Sequence, residues 1–388
     1  MKKLVKILAI DTSCDETAAA VSEGNTLLSN TLSSSMEFQN EWGGVVPIIA
    51  RKNHINRINM VIKRALKLAE VDKKEINVIA VTYGPGLAIA LEVGIKKAKE
   101  IAAELKIPLL GINHMAGHIY SNFGKKKSGV TFSGLDEQNI FPLITLLISG
   151  GHTELVLMKD HGNFEIIGKT LDDSVGEAFD KIARMLRWGY PGGPIVERFA
   201  KDGDENAFKF PIAMAQSGDL NFSFSGLKTA VFREIQSRGE IQQLTNPMNE
   251  QQLAKHRAEF ANEVYAPSIS KKPVYQLSKK DSINIAASFQ KAAADQLILK
   301  SIAAVNKYKI RNFLLGGGVV NNLYIRRKMR RELKKFGVNL YYPHNKKLLT
   351  DNAGMIAIAA YYRTLKGVYP DPSLLDRKPN LELGSEGI

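Results

Sequence analysis

Apolar and polar positions fall in blocks along this chain that predict strands and helices in turn. Leu4 to Ile10 has strand composition, and after the polar turn Asp11 to Thr17 the apolar run Ala18 to Val21 returns, so the pair reads as a hairpin. A loop, Trp42 to Pro47, leads into helical amphipathic spacing from about Ile48 to Ala69. Ile76 to Thr82 is a buried strand, Gly84-Pro85-Gly86 a tight turn, and a helix follows to about Leu105. Ile107 to Leu110 is one more strand, running into a helix after Asn113.

Beyond a polar, lysine-rich stretch from Ser121 to Gln138, which reads as a surface loop or domain boundary, the opening plan recurs. Phe141 to Ile148 is a strand, Ser149 to Thr153 a glycine turn, and Glu154 to Met158 a returning strand, which suggests two duplicated halves. A helix opens in Leu171 to Lys181 and ends before Trp188. The polar stretch from about Gln236 to Lys280 reads as a peripheral helical insert, Ile283 to Ala304 as a helix, and Asn312 to Leu315 as a strand entering Gly316-Gly317-Gly318. Thr350-Asp351-Asn352 starts a last helix to about Leu365, with Thr350 or Asp351 as its cap. Strands alternating with helices predict an α/β layer fold.

At 388 residues the chain is long for one core and suits two domains. Lys and Arg number 53 against 39 Asp and Glu, a formal charge of +14, so the surface attracts polyanions such as nucleic acid or an acidic protein. Cys14 is the only cysteine, which excludes an intrachain disulfide and fits a reducing compartment. No apolar run reaches the length of a membrane span, and the N-terminal apolar patch meets Asp11 and Asp15 too soon for a signal peptide. The expected location is cytoplasmic, with no membrane partner.

Several stretches carry candidate chemistry. His114 and His118 are four residues apart, so on a helix they share a face and can grip one metal ion, with Asp351 as a further candidate ligand. Three glycine turns, at Gly84 to Gly86, Ser149 to Gly151 and Gly316 to Gly318, are of the kind that lets backbone amides approach a phosphate, and the hydroxyl- and carboxylate-rich turn Asp11 to Thr17 can do the same. Glu177 and Asp180 lie on neighbouring helical turns and could both face a nucleotide; His152 serves equally as a ligand, a phosphate donor or a loop-positioning residue. A metalloprotease of the HExxH type is disfavoured, because Met115 stands in the place of the general-base Glu.

Taken in order, Asp11 to Thr17, Gly84-Pro85-Gly86-Leu87, Asn113 to His118, Ser149 to Thr153, Gly176 to Lys181, Phe224 to Thr229, Ala286 to Gln290 and Thr350-Asp351-Asn352 resemble the motifs of the TsaD family, the tRNA threonylcarbamoyladenosine transferases. The resemblance runs from about Leu4 to Leu365. It implies an actin-like, sugar-kinase-like (ASKHA) fold of two duplicated domains around a nucleotide cleft, at 1–136 and 137–350, with 351–388 crossing back to the first domain. Also implied are one divalent metal, Fe2+ or Zn2+, on His114, His118 and Asp351, and an ATP- or AMP-type nucleotide, with Mg2+ as its companion ion. The substrate threonylcarbamoyl-AMP falls on Leu147, Ile148, Ser149, Gly150, Gly151, Asp180, Gly193, Glu197 and Asn321, and Asp11 is a candidate general base. The reaction implied is threonylcarbamoyl transfer to N6 of adenosine 37 in the tRNA anticodon arm, alongside the partner proteins TsaB and TsaE. Ala116 and Ile48 stand where the family usually has acidic residues, and Tyr83 where a basic one is frequent. A small-molecule kinase or carbamoyltransferase of the same fold, and a non-catalytic nucleotide-binding scaffold, are the alternatives.

Overall fold

The computed structural model describes residues 4–34, 46–242 and 274–385. Two five-stranded mixed sheets repeat one plan. In the first, β1 (Lys6–Asp11), β2 (Thr17–Glu23) and β3 (Thr26–Ser33) form an antiparallel meander, and β4 (Val78–Gly84) and β5 (Leu109–Asn113) extend it parallel to β1, in the order β3-β2-β1-β4-β5. In the second, the meander is β6 (Leu143–Ile148), β7 (Thr153–Asp160) and β8 (Asn163–Lys169). After a short two-stranded ribbon of β9 (Glu240–Gln242) and β10 (Val274–Gln276), the sheet is completed by β11 (Asn312–Gly316) and β12 (Asn339–Tyr341), parallel to β6 in the order β12-β11-β6-β7-β8.

The predicted hairpins are therefore three-stranded meanders. β3 escaped the sequence reading because Thr26–Ser33 is mostly polar and only partly buried, as an outermost strand tolerates. The connection from Ser121 to Gln138, expected as a surface loop or domain boundary, is exposed over Lys126 to Val130 but partly internal elsewhere. Phe123, Phe132 and Leu135 are buried in it, and a side chain at Gly124 would strike Ile358.

Helices cover the sheets. α1 (Pro47–Ala69) and α2 (Ala88–Leu105) pack on the outer face of the first sheet against Leu8, Ile10 and Ile79. On the inner face, Ile7 and Ala9 meet α3 (His114–Tyr120) and the last helix, α9 (Ala353–Thr364), in a core that also takes in Leu143, Leu147 and Leu314 from the second sheet. α9 is buried from Ala353 to Ala360, the condition of a helix apolar all round, and so fastens the end of the chain to its beginning. The far face of the second sheet packs on α4 (Val175–Met185), α5 (Gly192–Ala200), α6 (Ser225–Arg238) and the long α7 (Lys279–Tyr308). A basic helix, α8 (Leu323–Lys334), links β11 to β12.

Neither α5 nor α6 was expected from the sequence. Of the expected insert between Gln236 and Lys280, residues 243–273 lie outside the described residues, as do Trp42 to Val45. Among the described residues no helix is long and apolar enough to cross a membrane.

Candidate metal and nucleotide cleft

The parallel strands β1, β4, β5, β6 and β11 end at Asp11, Gly84, Asn113, Ile148 and Gly316, the ends at which open α/β sheets form ligand crevices. Asn113 closes β5 and caps α3 at once, its Oδ1 accepting from the backbone N–H groups of Met115 (2.8 Å) and Ala116 (3.2 Å). This abrupt start places His114 in the first turn and His118 one turn on, both buried.

Asp351 arrives from the other end of the chain. The cap of α9 is Asn352, whose Oδ1 accepts from Met355 N at 3.0 Å, and not Thr350 or Asp351 as the sequence suggested. Relieved of capping, Asp351 places Oδ1 3.3 Å from His114 Nε2 and 3.3 Å from His118 Nε2. The three candidate ligand atoms lie within 4.8 Å of one another. Among the described residues Nδ1 of the fully buried His118 ring has no hydrogen-bond partner and Nε2 meets only Asp351, an expensive arrangement for an imidazole unless a cation sits at the centre of the triangle. Two imidazoles and one carboxylate are also the donor set of mononuclear iron and catalytic zinc sites, so the residues fit a divalent metal.

Asp11 stands behind this triangle rather than in the cleft. Its Oδ1 accepts from Ser13 N at 3.1 Å, and its Oδ2 has no hydrogen-bond partner and lies 3.8 Å from His114 Nδ1. A carboxylate behind the non-ligating nitrogen orients a metal-binding histidine. In this position the Asp11 carboxylate is placed to orient the His114 ring. Asp11→Asn is expected to weaken metal affinity about 10- to 100-fold with the fold intact, read by metal competition against a chelator.

The triangle opens on a cleft between the halves. One wall holds Ser13, Cys14, Glu16 and Gly86; the other holds Ser149, Gly150, Gly151, Asp180, Gly193, Glu197 and Asn321. Several glycines around the cleft are sterically required, among them Gly86, where a Cβ would lie 2.5 Å from Ser13 O. A Cβ at Gly176 would lie 2.4 Å from Ser149 O, and one at Gly317, whose φ is +95°, would lie 2.4 Å from Ile148 O, whereas side chains at Gly150, Gly151 and Gly318 would meet open space. The 149–151 loop is curled by Ser149 Oγ, which accepts from His152 N at 3.1 Å, and tied to α4 by Ser174 Oγ donating to Gly150 O at 2.6 Å.

A family model described as "TsaD: tRNA N6-adenosine threonylcarbamoyltransferase" matches residues 26–358. The chain belongs to the TsaD family. Curated relatives named tRNA N6-adenosine threonylcarbamoyltransferase include those of Symbiobacterium thermophilum, 42% identical over 98% of both chains, and Thermosipho africanus, 39% identical over 97% of this chain and 99% of that one. The crystal structure of T. kodakarensis HypF shares the fold, with a TM-score of 0.58 and 14% identity, over 95% of this chain and 49% of HypF. The ASKHA architecture expected from the motifs is the one found.

Not every residue expected in this TsaD-family site reaches the cleft. Leu147 and Ile148 are fully buried in the shared core and the second-sheet core respectively and do not line it. Glu177 and Asp180 part company: Glu177 pairs with Lys181 at 2.7 Å, while Asp180 lines the cleft and accepts from Gly192 N at 2.7 Å. Burial raises the Asp180 pKa against that hydrogen bond. Glu197 accepts from Leu323 N at 2.9 Å at the start of α8. Asn321 donates to Gly318 O at 3.2 Å and leaves its own Oδ1 without a partner. His152 lines the cleft but stands outside the candidate metal triangle, and burial together with His114 and His118 lowers its pKa to about 4, so it is neutral.

The sequence reading took one cleft residue only as part of the Asp11 to Thr17 turn and missed another behind it. Glu16 lines the cleft, with its pKa raised to about 10 by burial and by the neighbouring carboxylate of Asp15. His54, fully buried on α1, clamps the Cys14 to Thr17 loop from behind, with Nε2 3.1 Å from Cys14 O and Nδ1 2.9 Å from Thr17 Oγ1. A carbonyl only accepts, so Nε2 carries the proton and Nδ1 accepts from the hydroxyl. The sequence offered one signal for it, a histidine on the apolar stripe of an amphipathic helix.

Electrostatics at the triangle are dominated by burial and by Asp351. Burial works against a charged His114, yet Asp351 and Asp11 together push its pKa up to about 10. For His118 burial prevails, and with His114 beside it the pKa is lowered. Burial would raise Asp351, but the two imidazoles outweigh it and hold the carboxylate well below its usual range.

Proposed function

We propose that this chain transfers the threonylcarbamoyl group of threonylcarbamoyl-AMP to N6 of adenosine 37 in tRNAs that read codons beginning with A, releasing AMP. The observation that carries this reading is the convergence, in a TsaD-family chain, of a two-histidine, one-carboxylate triangle with glycine loops on one cleft. His114, His118 and Asp351 would hold the metal, with Fe2+ as the preferred occupant and Zn2+ as the second. A divalent ion there supplies Lewis acidity toward a carbonyl or phosphoryl oxygen.

The remaining roles belong to the chain's own groups. Ser149, Gly150 and Gly151 form the phosphate-facing loop of the adenylate site, and Asp180, Gly193, Glu197 and Asn321 its nucleoside-facing wall, with Mg2+ as companion to the phosphate. Asp11 holds the His114 ring in place, and His54 fixes the loop that carries Glu16. The reaction takes place in the cytoplasm, with TsaB and TsaE as partner proteins.

The test supplies threonylcarbamoyl-AMP carrying labelled threonine to the metal-loaded chain and unmodified tRNA, with and without TsaB and TsaE. Label is expected on adenosine 37. A chain that binds metal and nucleotide yet labels no tRNA under any of these conditions would falsify the reading.

A further inference from the structure

Resting on that transferase reading, the geometry points to where the tRNA lies: we propose that a strip formed by α8 and the turn after β12 binds the phosphate backbone of the anticodon arm. β12 runs parallel to β11, so its C-terminal end, like that of β11, faces the cleft edge. The chain leaves β12 through Tyr342 and reaches the metal ligand Asp351 nine residues later. Between them Lys346 and Lys347 stand exposed on a one-turn helix, Lys346–Leu348.

That turn is built and not merely solvated. Asn345 caps it by accepting from Lys347 N at 3.1 Å, Leu348 anchors it in the interior, and His344 N donates to Phe132 O at 2.9 Å in the other half of the molecule. The lysines are thus presented at a fixed place, which lowers the entropy lost when they bind.

α8 supplies the second edge. Its N-terminus follows Asn321 and Asn322 at the cleft, and its sequence places Arg326, Arg327, Lys328, Arg330, Arg331 and Lys334 within twelve residues against one acid, Glu332. Arg326 and Arg330 lie over the Tyr342 ring at 5.0 Å and 5.2 Å, and Arg330 Nη2 donates to Tyr342 Oη at 2.6 Å. Lys328 is neutralised by Asp295 and Arg331 by Glu332. Among the described residues no carboxylate lies within ion-pair distance of Arg330, Lys346 or Lys347. Arg330, held against the Tyr342 ring, and Lys346 and Lys347, exposed and close in the chain to Asp351, are unneutralised cations, and such groups suit RNA phosphates.

The experiment compares tRNA affinity across a potassium chloride series for the metal-loaded full-length chain and for the triple variant Arg330→Gln, Lys346→Gln, Lys347→Gln. Metal content and AMP binding are measured on both to establish that the site is intact. Each lost phosphate contact lowers the slope of log affinity against log salt by about 0.7 to 0.9, so the variant is expected to lose roughly two units of slope and about tenfold or more in affinity. The charge-preserving variant Arg330→Lys, Lys346→Arg, Lys347→Arg is expected to keep the slope. A control with Lys74→Gln, Lys106→Asn and Lys309→Asn, which lie before β4, β5 and β11 at the opposite end of the sheets, is expected to bind as the wild type does.

An unchanged slope and affinity in the first variant, with wild-type transfer intact, overturns the strip and leaves the transferase reading standing. The strip is equally overturned if the control loses as much as the variant, since net charge then accounts for the attraction, or if the variant loses only association with partner proteins. A wild-type chain that neither binds nor labels tRNA removes both this inference and the reading beneath it.

Discussion

Asp351→Ala and His118→Ala are each expected to abolish stoichiometric metal binding and to lower threonylcarbamoyl transfer by three orders of magnitude or more. Asp351 Oδ1 is the common neighbour of both imidazoles at 3.3 Å, so its loss removes one of three protein donors and the only negative charge among them. A lost catalytic interaction of about 4 kcal/mol corresponds to roughly a thousandfold in rate. Metal analysis and the labelled-threonine assay check the two expectations on one preparation. Full metal content in Asp351→Ala would show that the triangle is not the ligand set.

The same site gives metal binding a pH dependence whose sign follows from His114. Without metal, Asp351 and Asp11 overcome burial and keep its pKa near 10, so at neutral pH the ring is protonated. A ligand must be neutral, and binding therefore expels that proton. Apparent metal affinity is expected to rise about tenfold per pH unit toward pH 10 and to fall as the solution is acidified. His118, whose pKa is lowered, adds no proton in that window. Calorimetry in buffers of different ionisation enthalpy counts the protons, and none released at pH 7 would contradict the assignment.

Gly317→Ala is the second large effect. The residue has φ +95°, outside the range comfortable for L side chains, and its added Cβ would sit 2.4 Å from Ile148 O, a backbone atom of the central strand β6 that cannot swing aside. The dihedral penalty is about 1–2 kcal/mol and the overpacking about 1–3 kcal/mol. A total near 3 kcal/mol is expected to lower Tm by roughly 6–12 °C, taking 2–4 °C per kcal/mol for a domain of about 200 residues. The displaced loop carries Gly318 and Asn321 on the cleft wall, so AMP affinity is expected to fall as well. Gly318→Ala, where a side chain meets open space, provides the matched control and is expected to leave Tm within about 1 °C. Equal melting of the two variants would refute the steric account.

How much of this was legible beforehand varied with the kind of signal. The strand-turn-strand blocks at Leu4 to Val21 and Phe141 to Met158 repeat the same periodicity, and the structure returns them as two sheets of one topology. β3 and α5 went unread because they are short and partly exposed, and α6 because only Leu227, Val231 and Ile235 of its 14 residues are buried, a sparse apolar signal; such elements take their stability from the surfaces they pack on.

Sequence by itself determined the alternation of strands and helices, the glycines at the strand ends, the histidine pair on one helical face and the family these motifs mark. All are local, because each follows from the spacing of a few neighbouring residues. Only the tertiary structure decided that Asn352 takes the cap and leaves Asp351 to the histidines, that Asp11 backs His114 instead of facing the cleft, that Leu147 and Ile148 belong to the cores, and that Glu177 turns away while Asp180 stays. Each of those outcomes depends on groups far apart in sequence competing for the same hydrogen bonds, charges and space, a contest that is settled only when the two sheets close on α3 and α9.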